Sequence, residues 1–457
     1  MKLWNYLKEQ MLLTPHQTIC EKEAALTYEE AVVWSEFFAP KLKNINCCAI
    51  LCQSEMAASM ALLACFAAGV TAVPLSERYG EAHCKKILDF ISPDAIITDH
   101  NEKIEVCMVD NSNYEKPRKH PALIMCTSGT TGIPKGVMLS EKNIITNVCD
   151  ITSYFTLDKT DNLLIVRPLY HCAVLTGEFL TALVSGAGIR FYSGQFNPAK
   201  NLELINHYHI TAFCGTPTLL SAMAKLRRNE SGNSLRYICI SGECMGRDIG
   251  ISIMNAFPNA KIFHIYGLTE ACPRVSYLPC EQFANHPDCV GVPLPSVSLK
   301  VLDKDGKPCP QNTAGTLWIK GKNIMLGYYK APDETKKVLK KGWLCTGDAA
   351  LISVEGFLKI KGRNDDLIIK AGMNIYPAEI ESTLKCDPRV KEVLAFSYEN
   401  RFGTQIGLKI AGDFPSVSEI RELCNKLLPS YQRPSKIELV KELLKNGSGK
   451  IIRRILK

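Results

Sequence analysis

Between residues 27 and 265 the chain alternates between short apolar runs of strand length and longer stretches with helical spacing of apolar side chains. No other feature limits the fold as strongly. Strand, helix and strand in repeated succession join as βαβ units, whose parallel strands are buried on both faces. Residues 27–38 read as a helix, 48–52 as a buried strand, 56–67 as a helix, and 70–73, 95–98 and 122–126 as strands. A second series follows, with strands at 163–166, 189–191, 212–214, 237–241 and 261–265 and helices at 177–184, 202–207, 217–225 and 248–257. From 291 to 362 the texture changes to strands at 297–302, 315–320 and 356–361 between Gly, Pro and Asp turns, an antiparallel pattern. After 363 come a strand at 367–370, a helix at 378–384, paired strands near 393–397 and 407–411, a helix at 417–427 and a strand at 436–440. The predicted class is α/β. A large N-terminal domain (1–363) of βαβ subdomains carries a β-rich subdomain, and a small mobile α+β C-terminal domain (364–457) completes the chain.

Composition narrows the function. A net charge of +8 over 457 residues suits an anionic ligand, but no basic stripe interleaved with aromatic residues points to nucleic acid. The 20 cysteines show neither C-x-x-C pairs nor Cys/His clusters at zinc spacing. They read as reduced thiols packed as small hydrophobes, which places the protein in the cytoplasm. The N-terminus lacks the basic and apolar regions of a secretion signal. The charge-free run from Met56 to Leu75 is long enough to span a bilayer, but its alanines, Gly69 and Pro74 fit a buried helix, a stop and a short strand better, so no transmembrane segment is expected.

After the strand at 122–126 comes Thr127-Ser128-Gly129-Thr130-Thr131-Gly132-Ile133-Pro134-Lys135-Gly136. Hydroxyls that donate, glycines that let backbone N–H groups approach, and a lysine suit phosphate oxygens. The spacing is not that of a Walker loop. On spacing alone, a Ser/Thr/Gly turn after a buried strand fits equally well.

The same string, continued by Val137-Met138-Leu139-Ser140, resembles the signature loop of the adenylate-forming superfamily: acyl- and aryl-CoA synthetases, adenylation domains of nonribosomal peptide synthetases, and firefly luciferase. Four further stretches match in the family's order: Tyr266-Gly267-Leu268-Thr269-Glu270, Gly342 to Asp348, Gly362 to Asp366 with the segment from Lys370 to Glu381, and Gly447 to Ile451. The resemblance implies ATP and Mg²⁺ as cofactors and a role for each matched residue. Thr127, Ser128, Gly129, Thr130, Thr131, Gly132 and Lys135 would hold the phosphates. Tyr266 would stack on adenine beside Gly242, Glu243, His264 and Gly267, and Asp348 and Arg363 would hold the ribose. Glu270 would ligate Mg²⁺, with Thr269 donating to the α-phosphate. Lys450 would bridge the attacking carboxylate and the α-phosphoryl oxygens, Asp365 would be the hinge, and Gly372 would line the thiol tunnel.

The segment Pro168-Leu169-Tyr170-His171-Cys172 resembles the family's acyl-pocket gate, which gives His171 a catalytic and gating role. With His171, the residues Val174, Leu175, Cys214, Gly215 and Thr216 would line the acyl pocket, and they are mostly small or apolar. The Phe-Asp pair by which amino-acid-activating members hold an ammonium is missing. The implied substrate is a small-molecule carboxylic acid with an uncharged acyl or aryl tail, not an α-amino acid. The implied acceptor is CoA or the phosphopantetheine of a carrier protein. A homologue that binds nucleotide without catalysis is the reading from another class, and the intact Thr269, Glu270, Asp348 and Lys450 argue against it. Leu444 and Asn446 replace the family's usual proline and threonine before Lys450.

Overall fold

The computed structural model describes residues 2–77, 80–100, 103–110, 112–127, 135–194, 197–227, 232–370, 373–400, 403–445 and 451–453. Several of its helices begin where short polar side chains satisfy the first free amides. Thr27 caps Tyr28–Phe38 in a reciprocal box with Glu30, and Ser140 caps Glu141–Thr152 with Asn143 in the same role. Helix Glu55–Ala68 stops at Gly69, whose φ of 70° is left-handed and favours glycine. The charge-free run is therefore a buried helix followed by strand Thr71–Pro74. Among the described residues, no helix is long and apolar enough to cross a membrane.

Two large sheets carry the βαβ series. The first has seven strands, in the order Gly327–Tyr328, Lys135–Leu139, Leu123–Thr127, Thr71–Pro74, Cys47–Ile50, Ala95–His100 and Lys103–Met108. The second has nine and is parallel through Lys261–Gly267, Tyr237–Ile240, Ala212–Gly215, Asn162–Ile165, Gly188–Phe191 and Thr18–Glu21. Both sheets are mixed: antiparallel strands close their edges, including Lys135–Leu139 against Leu123–Thr127 and Arg274–Tyr277 against Lys261–Gly267. The antiparallel region comprises Val297–Leu302, Gly315–Gly321, Trp343–Ile352, Leu339–Lys340 and Leu358–Arg363.

The helix expected at 177–184 begins earlier and is not regular. Cys172–Val174 leads into a π-turn at Leu175–Leu180, then α-helix Thr181–Ser185. The cause is local. The Thr176 hydroxyl donates to the carbonyls of Cys172 (3.0 Å) and Cys272 (3.1 Å), while the Thr181 hydroxyl reaches the Thr176 carbonyl five residues back. Such widened turns are frequent at functional sites.

Beyond Arg363, a 3₁₀ turn at Asn364–Asp366 leads to hairpin Ile368–Lys370/Met373–Ile375 and helix Pro377–Leu384. Antiparallel strands Val390–Asn400 and Gly403–Gly412 follow, then helix Val417–Leu427 and strand Lys436–Leu439. This segment has its own apolar cluster, built around Ile368, Ile380, Leu384, Leu408 and Ile420.

Candidate nucleotide-binding and active site

Ligands of open parallel sheets bind outside the carboxyl ends of the strands, and several of the expected site residues lie there. Strand Lys261–Gly267 delivers Tyr266 and Gly267, then the 3₁₀ turn Thr269–Ala271 presents Thr269 and Glu270, both half-buried. Strand Tyr237–Ile240 runs out to Gly242 and Glu243, whose carboxylate accepts the Thr218 hydroxyl at 2.6 Å. Thr127 pairs with Lys135 across the mouth of the phosphate loop. Ser128, Gly129, Thr130, Thr131, Gly132, Gly372 and Lys450 lie outside the described residues.

Asp348 and Arg363 face each other in register on Trp343–Ile352 and Leu358–Arg363. Gly347 brings them together: its φ is 74°, and a Cβ there would come within 2.9 Å of the Arg363 guanidinium. Arg363 Nη1 donates to Asp348 Oδ1 at 3.1 Å and to the Thr346 carbonyl at 2.9 Å, and the Tyr266 hydroxyl donates to Asp348 Oδ2. Burial pushes the Asp348 carboxyl above its usual range, against the pull of Arg363 and Tyr266. A carboxylate has about four lone-pair positions, so acceptor capacity remains for a ribose diol. Tyr266 has its hydroxyl committed and can offer a base only its ring.

Glu270 accepts the Tyr328 hydroxyl at 2.8 Å. The Lys135 ammonium lies 5.2 Å from the centre of the same ring and 3.8 Å from Glu334. The Glu270 charge reaches Asp348, and the Arg363 charge reaches Tyr328. Lys135, the Glu270 carboxylate and the Asp348 cluster thus lie close to one another. The sequence reading missed Tyr328. Its only signal is a glycine followed by two tyrosines midway through the stretch 291–362, which reads as edge-strand filling.

His264 departs from expectation. It is only 2% exposed, and its Nδ1 bonds to the Pro287 carbonyl at 2.9 Å, so it is a core histidine rather than a contact for the base. Burial pushes its pKa down to about 4. An unfolded histidine titrates near 6.5, so at lower pH the unfolded chain holds a proton that the folded chain refuses. Stability is therefore expected to fall as pH drops from 6.5 towards 4, by up to about 3 kcal/mol. Urea midpoints across this range should show a flatter acid limb for His264→Asn, which keeps a donor but cannot titrate.

At the candidate acyl wall, His171 precedes the π-turn and its ring lies 4.2 Å, centre to centre, from Tyr170. Val174, Leu175 and Cys214 are fully buried in the core, Gly215 is buried and Thr216 caps helix Pro217–Leu226. Charged side chains stand close to these residues. Arg167 forms an ion pair with buried Glu178, and Arg274 donates to the Gly177 carbonyl at 2.9 Å; both Glu178 and Arg274 act on Cys214. An Arg and a Glu inside otherwise apolar runs are the signals that could have found this.

Several contacts join the small C-terminal segment to the site. Lys385 Nζ donates to the Thr218 hydroxyl at 3.4 Å, and Gly246 lies against Ser382. Asp365 is exposed on the turn between the two parts. The residues flanking 446–450 are fixed: Lys445 bridges to Ile451, and Ile452 donates to the Leu444 carbonyl at 2.8 Å. Arg453 grips both oxygens of Glu381, and its charge reaches Cys244 beside Glu243.

The family model of the AMP-binding enzymes matches residues 7–329, more than half of the chain. The chain belongs to the AMP-binding enzyme family. Among AMP-binding relatives, the long-chain-fatty-acid–CoA ligase of Haemophilus influenzae is 31% identical over 362 residues, covering 75% of this chain and 63% of that protein. The 2-succinylbenzoate–CoA ligase of Bacillus subtilis is 27% identical over 493 residues, covering 99% of this chain and 97% of the relative. The chain thus spans 63% of the length of the first relative and nearly all of the second. The solved o-succinylbenzoate CoA synthetase of Bacillus subtilis, in complex with its acyl-adenylate intermediate, superposes with a TM-score of 0.86 at 27% identity, covering 99% of this chain and 98% of that one. Its complex with ATP and a magnesium ion gives 0.84 at the same identity, covering 99% of both chains.

Proposed function

We propose that this chain is an AMP-forming acid–thiol ligase: it condenses a carboxylic acid with ATP to an acyl adenylate, releases pyrophosphate, and transfers the acyl group to the thiol of CoA. The observation that carries this reading is the convergence of Lys135, the Glu270–Tyr328 pair and the Asp348–Arg363–Tyr266 cluster at the carboxyl ends of the parallel strands. Relatives named CoA ligases, and a fold relative solved with an acyl adenylate, support it.

In this reading Asp348 accepts the ribose hydroxyls and the Tyr266 ring backs the adenine beside Gly242 and Glu243. Thr269 and Lys135 donate to phosphate oxygens, with the loop residues Thr127 to Gly132. Glu270 suits Mg²⁺. Its Oε1 is held by Tyr328, its Oε2 has no partner among the described residues, and no trio of His, Cys, Asp or Glu there would cage a metal. A lone carboxylate is the donor set of a hard cation ligated mostly by phosphate and water. When bound, that ion would neutralise charge on the phosphates. Lys450 lowers the repulsion between the carboxylate and the α-phosphate, where charge concentrates in the transition state. The segment 364–457 then pivots at Asp365, withdrawing Lys450 and bringing Gly372 to the thiol's path.

The acid is an acyl or aryl acid rather than an α-amino acid. The buried thiols support a cytoplasmic setting, and the reading gives nucleic acid no part. A phosphopantetheinyl carrier protein would replace CoA without changing the first half-reaction. Pyrophosphate exchange across a panel of acids tests adenylation, and mass spectrometry with CoA or holo-carrier then identifies the acceptor. Exchange with at least one acid and acylation of CoA are expected. Absence of exchange with every acid would overturn the reading, and acylation of the carrier alone would replace CoA.

A further inference from the structure

We propose that Tyr328 is a positioning residue for the metal–nucleotide complex, holding the Glu270 carboxylate and the Lys135 ammonium apart so that each is free for its own part of ATP. This inference rests on the reading of Glu270 as the Mg²⁺ ligand.

The geometry is specific. Tyr328 belongs to the edge strand Gly327–Tyr328 of the seven-stranded sheet, where it pairs with Val137, two residues beyond Lys135. Glu270 follows a strand of the other large sheet. The 2.8 Å bond from the Tyr328 hydroxyl to Glu270 therefore crosses between sheets, and a second bond, from the Met325 amide to the Glu270 carbonyl (2.9 Å), runs parallel to it. Tyr328 is itself fixed: it is 7% exposed, and its amide donates to the Thr335 hydroxyl at 2.8 Å.

One side chain thus serves two charges of opposite sign. The hydroxyl consumes one oxygen of Glu270 and sets the direction of the other, which is how hydrogen bonds to a ligating carboxylate tune a metal site. The ring takes the Lys135 ammonium on its face, an attraction of the cation–π type. Glu334, on the exposed side of Lys135, is the only carboxylate paired with that lysine among the described residues, so Lys135 and Glu270 do not neutralise each other. A phosphate group entering the loop would meet a cation and a carboxylate already separated.

The test is Tyr328→Phe, which keeps the buried ring and removes only the hydroxyl. ATP binding is measured by calorimetry, without turnover, over a series of Mg²⁺ concentrations. The Mg²⁺ concentration for half-maximal ATP binding should rise about tenfold or more, with metal-free ATP binding within twofold of the wild type. Tyr328→Leu, which also removes the ring, should weaken metal-free binding as well. A double-mutant cycle with Glu270→Gln should show that removing the Tyr328 hydroxyl has no further effect once the carboxylate is gone. An unchanged Mg²⁺ requirement in Tyr328→Phe, where Glu270→Gln alters it, would overturn the role of Tyr328 and leave the reading of Glu270 standing. If neither variant shifts the Mg²⁺ requirement, both readings fail together.

Discussion

A Lys450→Ala protein is expected to lose acyl-adenylate formation by about 10²–10³-fold, the usual cost of removing one donor from a developing oxyanion. The same protein should still pass the acyl group from a preformed adenylate to the thiol. The split follows from where the lysine travels. Leu443 and Lys445 bind Glu392 on one side of the Lys450 segment, and Arg453 binds Glu381 on the other. Both acids belong to the small segment itself, so in the proposed cycle Lys450 would travel with that segment. Pyrophosphate exchange reports the first half-reaction, and single turnover of a synthetic acyl adenylate with CoA reports the second. Equal loss in both would refute the two-state cycle.

Asp348→Ala should damage both binding and stability. It takes the acceptor from the Tyr266 hydroxyl and leaves Arg363 with only the Thr346 carbonyl, and it removes the proposed ribose acceptor. Hydrogen bonds to charged groups contribute about 1.5–3 kcal/mol each, so KM for ATP is expected to rise about 10–100-fold. The stability loss should be smaller than for a fully buried pair, about 1–3 kcal/mol, because the Arg363 side chain is 49% exposed and water can replace its partner. Steady-state kinetics and urea unfolding measure the two effects separately. Asp348→Asn should fall between, since its amide nitrogen would face either Arg363 or Tyr266. A normal KM for ATP in Asp348→Ala would remove Asp348 from the nucleotide site.

Period and punctuation were enough to find most of the βαβ framework. The strand Val297–Leu302 and the helix Val417–Leu427 sit where the sequence puts them, because an apolar pattern of one period meets clear turn residues at both ends. Two of the strands that escaped notice have interrupted or hidden patterns. Trp343–Ile352 is broken by Gly347 and a register shift near Ala349, so it reads as a turn. Lys135–Leu139 begins on the lysine of the phosphate loop and is hidden in that motif.

The site was legible in a different way. Tyr266, Asp348 and Arg363 come together across 82 and 15 residues of chain, a closeness that ordered motifs imply but local spacing cannot. Partners outside the motifs stayed invisible. Tyr328 and Glu270 are 58 residues apart, and the Arg167–Glu178 pair looks like two unrelated charges until the π-turn brings them together. His264 shows the opposite error: its position beside a motif suggested contact, while its strand turns it towards Pro287.

The clamps on either side of Lys450 bear on the exchange of parts between related enzymes. Glu392, Glu381 and Arg453 all lie within 364–457, so a graft of this segment onto a foreign large domain would keep the contacts that flank its lysine. What the host must supply is the landing surface, Thr218 and the loop from Glu243 to Gly246, against which Lys385 and Ser382 rest. Compatibility of such chimeras then depends on the polar contacts at that loop, together with the Lys361–Glu379 pair, and not only on the lysine they share.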